Sequence, residues 1–382
     1  MIERQDGSLV VLQVIPRLKI GGAERAVIDI SQALNAAGMQ SLVTSQGGEL
    51  VPDLLHTKAI HVAMPVASKN PLTIALNTLR LVRLIRIHHV NVIHVRSRAP
   101  AWSALAAARR TGTPIVTTFH APYTISSRAK RLYNSVMARG DRVIAISGYV
   151  ARHVREEYGV PEDRLRCIFR GIDMARFDPV AVSIDRITTL ADYWNLSDGV
   201  PIIMFPGRLT RLKGHHVMID ALKQLRRDAM CLMVGVAGAR PALRREVENR
   251  ILEAGLEGRV TLIDSCHDMP AAYRLADVVV QPSLVPEGFG RVAVEAQAMG
   301  VPVVASDTGA TSETVRQGVT GWLTPSGDAG ALAEALTAAL DLDAEARIRH
   351  AAVARAHAVS HFALGNMCNA TLEVYRELTA RP

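Results

Sequence analysis

The chain has 382 residues, 49% hydrophobic and 21% charged, so it is a folded globular protein long enough for two domains rather than a disordered one. Aromatic residues make up only 4%, too few for a base-stacking surface, and no nucleic-acid partner is expected. The net charge of +8 is uneven: residues 1–175 hold 23 Lys and Arg against 12 Asp and Glu, while the other 207 hold 21 against 24, so the first half is the one suited to an anionic surface or substrate.

The first residues, M-I-E-R-Q-D, lack the apolar core of a signal peptide. Residues 9–15 are an apolar run long enough for a central parallel strand, and Pro16 ends it. Gly21 and Gly22 follow, then a helical pattern over 23–37. A strand, a glycine loop and a helix in that order can offer backbone amides to an anion, although neither G-x-G-x-x-G nor a following G-K-[ST] is present. A tight turn that only needs glycine is the alternative. Further strands are predicted at 41–44, 60–63, 91–95, 114–119, 142–146 and 166–169, with helices between them, which gives βα units and a parallel sheet. His120 directly follows the strand 114–119, at the end where open α/β sheets bind ligands, though a lone histidine also serves structure alone. Two helical stretches are basic and amphipathic: 74–88 with Arg80, Arg83 and Arg86, and 126–139 with Arg128, Lys130, Arg131 and Arg139. Solvated faces have this composition, and so do membrane-surface helices.

Residues 174–199 lose the alternation. The expected organisation is therefore a first domain over 1–175, a linker over 176–199, a second domain over 200–360 and a last helix over 361–382 that packs back toward the first domain. Strands at 201–206, 230–234, 259–263 and 278–281 then alternate with helices at 215–227, 241–254 and 269–276. The loop after the first of these strands is G-R-L-T-R-L-K-G, residues 207–214. Arg208 supplies a fork of donors and Lys213 a point charge beside a helix start, a combination that suits a diphosphate; an exposed basic loop is the alternative. The chain is organised around 286–300, P-E-G-F-G-R-V-A-V-E-A-Q-A-M-G, which leads from a buried strand into a helix. Glu287 and Glu295 can accept hydrogen bonds from sugar hydroxyls, and Gly288 and Gly290 let backbone approach a ligand closely. In the plainer reading Glu295 pairs with Arg291 at i,i+4 and Glu287 caps a turn. A strand at 301–305, a short helix near 312–317 and three helices from about 328 complete the chain. Its D-x-D, Asp341 to Asp343, reads as a helix cap rather than a metal site. The four cysteines are scattered without a C-x-x-C pair, and no apolar stretch reaches membrane-spanning length, so a cytoplasmic location is expected.

Taken together, these motifs resemble the retaining glycosyltransferases of family 4. The resemblance runs through Gly21-Gly22, His120 after T-T-F, R-G-I-D at 170–173, G-R-L-x-x-x-K-G at 207–214 and the pair Glu287 and Glu295 with G-F-G between them. It covers nearly the whole chain. It implies the GT-B architecture, an α/β fold of two doubly wound Rossmann-like domains facing each other across a cleft. There are departures. Arg170 stands where many members have asparagine, His120 is followed by Ala121 and Pro122 where glycine is common, and V-G-V-A-G at 234–238 lacks an acidic residue that many relatives carry. The style of D-M-P-A-A-Y at 268–273 and of 286–300 is similar to bacterial enzymes of lipopolysaccharide and surface-polysaccharide synthesis.

By this resemblance the protein is a metal-independent, retaining hexosyltransferase with no cofactor, and its substrate is a nucleotide-diphosphate sugar. Arg208 and Lys213 would hold the donor diphosphate, with backbone amides of Gly21 and Gly22 offered from the other domain. Glu295 would hold the ribose. Glu287 and Gly288, with the backbone of Phe289 and Gly290, would hold the donor sugar, and His120 would lie near it. The base would rest near 235–238 and 265–269. The catalytic set is then Arg208, Lys213, Glu287 and His120. The expected partners are the nucleotide-sugar donor, a glycan or lipid-linked acceptor, and the anionic inner face of the cytoplasmic membrane, touched by Arg128, Lys130 and Arg131. A nucleotide-sugar 2-epimerase and a non-catalytic nucleotide-sugar binding protein share the fold; the first needs an acid–base set beyond His120.

Overall fold

The computed structural model describes residues 9–19 and 21–380, so the leader reading of residues 1–6 lies outside the described residues. Two compact units result: the residues up to Phe169 together with those from Gly365, and Arg170–Leu364.

The first unit alternates strand and helix: β1 (Val10–Val14), α1 (Gly22–Ala36), β2 (Gln40–Ser45), α2 (Val51–His56), β3 (Ile60–Ala63), α3 (Pro71–His88), β4 (Val92–Val95), α4 (Arg98–Thr111), β5 (Ile115–Phe119), α5 (Arg128–Asn134), β6 (Arg142–Ala145), α6 (Gly148–Tyr158) and β7 (Leu165–Cys167). The sheet is parallel with strand order β3-β2-β1-β4-β5-β6-β7. Every residue of β1, β4 and β5 is buried, as strands covered by helices on both faces must be. The expected basic helix over 126–139 is two pieces, α5 and a 3₁₀ turn at Ser135–Arg139.

The second unit begins with a difference from the sequence reading. Residues 176–199 are not a bare linker: they carry α7 (Ile184–Tyr193), capped by Ser183. Arg186 in α7 donates to both carboxylate oxygens of Asp268, at 2.8 and 2.6 Å. None of the α7 residues is fully buried; Ile187, Leu190 and Ala191, at i, i+3 and i+4, form a half-buried apolar stripe, and the largely exposed Arg186–Asp268 pair adds to it. The remaining elements are β8 (Ile202–Pro206), α8 (His215–Gln224), β9 (Met230–Val234), α9 (Pro241–Glu253), β10 (Val260–Ile263), α10 (Met269–Leu275), β11 (Val278–Gln281), α11 (Arg291–Ala298), β12 (Val303–Ser306), α12 (Thr311–Thr314), β13 (Trp322–Thr324), α13 (Ala329–Leu340) and α14 (Ala344–Phe362). This sheet is also parallel, with order β10-β9-β8-β11-β12-β13. The three-residue β13 is too short to have shown in the sequence.

The final helix, α15 (Leu364–Thr379), belongs with the first sheet. Its buried Tyr375 lies 2.5 Å from His94 Nδ1, and His94 Nε2 is 2.7 Å from Thr118 Oγ1. Glu377 pairs with Arg142 and Arg166. Burial, then the neighbouring Arg96 and His120, hold the His94 pKa well below its usual value, so a neutral imidazole joins the helix to the sheet.

Candidate active site

In the second sheet the winding reverses between β8 and β11: β9 and β10 lie beyond β8, and β12 and β13 beyond β11. In open α/β sheets ligands bind outside the carboxyl ends of the strands at such a reversal, where two loops leave the sheet. One is residues 207–214, the other 282–290, and they touch. Gly214 has φ +79°, and a Cβ there would lie 1.9 Å from the Pro282 carbonyl oxygen, so only glycine permits the contact. Leu284 N donates to Leu212 O at 2.8 Å beside it. The contact brings Lys213 Nζ to 2.5 Å from Glu287 Oε1. Ser283 Oγ, itself buried, donates to the same oxygen at 2.6 Å. Among the described residues no group donates to Glu287 Oε2, so this oxygen keeps its acceptor capacity. The Glu287 backbone is held from the far side, where Ala310 N donates to Glu287 O at 2.9 Å.

Arg208 lies at the start of the first loop. It is exposed and has no ion-pair partner among the described residues, so its charge is available to an anion. His215, at the first turn of α8, adds none. It is buried and stacked on Phe205 with ring centres 4.4 Å apart, and burial lowers its pKa to about 4. Arg211, in the same loop, is paired with Glu246 at 2.6 Å, so the charge left to this loop pair comes from Arg208 and from Lys213, which Glu287 already partly neutralises.

Glu295 is in the second turn of α11. Arg291 donates to its Oε1 through Nε at 3.2 Å and Nη2 at 2.8 Å, and Tyr273 Oη donates to its Oε2 at 2.9 Å. The i,i+4 pair is present, but Glu295 is 9% exposed, so this is not a solvated helix face. Gly290 is the N-cap of α11, Gly288 is half-buried, and Phe289 is buried against Phe362 with ring centres 5.6 Å apart. Of the stretches expected near a base, 235–238 is hydrogen-bonded to the residues just before 265–269, from Gly235 and Val236 to Ile263 O and from Ala237 to Asp264 O.

The structure thus gathers Arg208, Lys213, Glu287, Gly288, Phe289, Gly290 and Glu295 in the second unit. Gly21, Gly22 and His120 are in the first, where the winding reverses between β1 and β4. Gly21 is the extended N-cap of α1, Gly22 opens the helix, and the Glu24 carboxylate lies over this N-terminus. His120 follows β5 and is half-buried. On α5, Arg128 and Arg131 are exposed, Lys130 is half-buried, and Arg131 donates to Glu157 O at 2.5 Å. Sequence reasoning missed Ser283 and Gly309, and it held Tyr273 only as the last residue of D-M-P-A-A-Y without its contact to Glu295. Asp343 caps α14 by accepting from Ala346 N at 2.7 Å. Among the described residues no group of three or more His, Cys, Asp or Glu side chains gathers as a metal site, and no helix is long and apolar enough to cross a membrane.

The family profile described as "Glycosyltransferase Family 4" matches residues 20–176, and that described as "Glycosyl transferases group 1" matches residues 188–357. A "D-inositol 3-phosphate glycosyltransferase" of Xylanimonas cellulosilytica is 33% identical over 313 residues, 76% of this chain and 73% of the relative. The crystal structure of a glycosyltransferase from Rickettsia africae has a TM-score of 0.92 at 32% identity, covering 98% of this chain and 100% of the other. An Anabaena protein crystallised with UDP-glucose, HepE, has a TM-score of 0.83 at 24% identity over 97% of this chain and 100% of its own, a likeness of fold. The sequence motifs, the two Rossmann-like sheets and these relatives agree: the chain belongs to the GT-B glycosyltransferases of family 4.

Proposed function

We propose that this glycosyltransferase moves a hexosyl group from a nucleotide-diphosphate sugar to a hydroxyl of a glycan or lipid-linked acceptor in bacterial surface-polysaccharide or lipopolysaccharide synthesis, with retention of anomeric configuration. The observation that carries the reading is the loop pair at the β8/β11 reversal. It holds two cations that no residue outside the loop pair neutralises, Arg208 and Lys213, beside a carboxylate with one open oxygen, Glu287 Oε2. As the bond between the anomeric carbon and the diphosphate oxygen breaks, negative charge grows on the leaving group. Fixed cations at that place stabilise the transition state more than the ground state. The acceptor oxygen forms the new bond on the same face, and its proton passes to the departing phosphate oxygen. Glu287 orients the sugar, Glu295 the ribose, and His120 stands by the transferred group. Because side-chain cations stabilise the leaving group, activity should persist in excess chelator.

A donor panel tests the reading. Nucleotide sugars carrying UDP and GDP are screened by thermal shift, and a true donor at 100 times its Kd stabilises by roughly 2.7 kcal/mol. Nucleotide release should then require acceptor, and NMR of the product should show the donor's configuration retained. Release without acceptor would favour an epimerase or a hydrolase, and an inverted product would end the retaining proposal. D-inositol 3-phosphate, named for the curated relatives, belongs in the acceptor set alongside lipid-linked glycans.

An anionic membrane surface is part of the proposal. Besides Arg128, Lys130 and Arg131 on α5, α3 exposes Leu72 (76%), Leu76 (52%) and Leu79 (61%) next to Arg80 and Arg83. Leucines one and two turns apart with arginines alongside suit the headgroup layer. In flotation assays binding should require anionic lipid, weaken with salt, and fall when Arg128, Lys130 and Arg131 become Ser or when the three leucines do. Equal recovery with neutral and anionic vesicles would remove the membrane from the proposal.

A further inference from the structure

The Tyr273–Glu295–Arg291 cluster makes a demand that the family motif does not state. A carboxylate oxygen accepts about two hydrogen bonds. Arg291 uses Glu295 Oε1 with both Nε and Nη2, while Tyr273 Oη, on a side chain with no solvent exposure, uses Oε2. Arg291 therefore approaches only one edge of the carboxylate, although a guanidinium prefers a bidentate fork with both oxygens. Tyr273 Oη, on α10, ties Oε2 down from the other side. The carboxylate consequently presents Oε2 in a fixed direction with one acceptor position open. Burial, and then the nearby Glu295 charge, push the Tyr273 pKa well above its usual value, so the hydroxyl stays protonated and keeps donating. The Tyr273 ring is held in turn by Phe177, 6.1 Å away, and by the cap of α10, where Asp268 accepts from Ala271 N and from Arg186.

We infer that Tyr273 is a positioning residue: its hydrogen bond holds Glu295 in the orientation that accepts a hydroxyl of the donor ribose, against the competing bidentate pair with Arg291. This rests on the reading of Glu295 as the ribose carboxylate. Tyr273 touches no substrate. Its removal changes which nucleotides bind rather than whether the unit folds.

Calorimetric titration of the full chain with UDP and GDP, each beside its 2′,3′-dideoxy counterpart, tests this. In the wild type the ribonucleotide that binds should be preferred at least about tenfold, the worth of hydroxyl hydrogen bonds to a charged acceptor. Tyr273→Phe should bring that preference below about threefold while leaving dideoxy binding nearly unchanged. Arg291→Gln should keep it within about twofold of wild type, because Tyr273 still holds Oε2. This second variant keeps the test open if Tyr273→Phe does not fold. A wild-type preference that survives in Tyr273→Phe but collapses in Glu295→Gln would leave the ribose reading standing and overturn the positioning role. A collapse in Arg291→Gln would give that role to the arginine. A wild-type preference near one, or one unaffected by Glu295→Gln, would remove the ribose reading itself, and binding of neither nucleotide would remove the donor reading.

Discussion

Lys213→Ala should lower turnover by about a hundredfold to a thousandfold, equivalent to roughly 2.7–4 kcal/mol of transition-state stabilisation, while shifting thermal stability very little. The two effects part company because of where the charge sits. The Lys213 side chain is 29% exposed and Glu287 20%, so the ion pair they form is only partly desolvated and contributes about 1 kcal/mol or less to folding. The same charge aimed at a leaving diphosphate acts on charge that appears during the reaction, in a site from which substrate excludes water. Arg208→Ala should behave alike in turnover and cost still less stability, since Arg208 is exposed and gives up no ion pair. Steady-state kinetics on the identified donor and acceptor, with thermal melts of each variant, check both statements. Normal turnover in either variant would withdraw that residue from the diphosphate site. Equal losses of stability and activity would mean that the loop 207–214 is structural.

The parts of this site that were legible in the sequence are those where local chemistry and chain order coincide. Apolar runs bounded by glycine and proline located most strands of both sheets, because strands buried on both faces need uninterrupted apolar side chains. Arg208, Lys213, Glu287 and Glu295 stood out because each lies just past a predicted strand or at the start of the helix that follows. What could not be read depends on long-range contact. Helix α7 has only a short apolar stripe, Ile187, Leu190 and Ala191, none of it fully buried, and the partner of Arg186 is 82 positions away, so residues 176–199 read as a linker. Lys213 and Glu287 are 74 positions apart, and nothing in either motif says that one neutralises the other. Glu295 shows how a plain reading and a functional one coexist: its i,i+4 arginine is present, yet burial and Tyr273 leave the carboxylate half committed and half open.

Gly309→Ala should reduce kcat/KM by about a hundredfold through Glu287, although Gly309 bears no side chain. A Cβ at Gly309 would lie 2.4 Å from Glu287 O and 2.6 Å from Glu287 N, and both are backbone atoms with no rotamer to yield. The two residues form a bridge, reinforced by the hydrogen bond from Ala310 N to Glu287 O at 2.9 Å, so the loop must move as a unit. A displacement of about an ångström is enough to break the short contacts of Glu287 with Ser283 and Lys213, and misplacement on that scale can cost about a hundredfold in rate. Stability should fall as well, by about 2–4 kcal/mol, of which about 1–3 is overpacking and about 1 the left-handed φ of +68°. Gly318→Ala separates these causes. Gly318 has nearly the same φ, +70°, but a Cβ there meets nothing within 4 Å. It should therefore lose about 1 kcal/mol of stability from backbone strain and keep its turnover. If both alanine variants melt lower but only Gly309→Ala loses activity, the clash with Glu287 is the cause. Equal activity in the two would show that Glu287 does not depend on the Gly309 contact for its position.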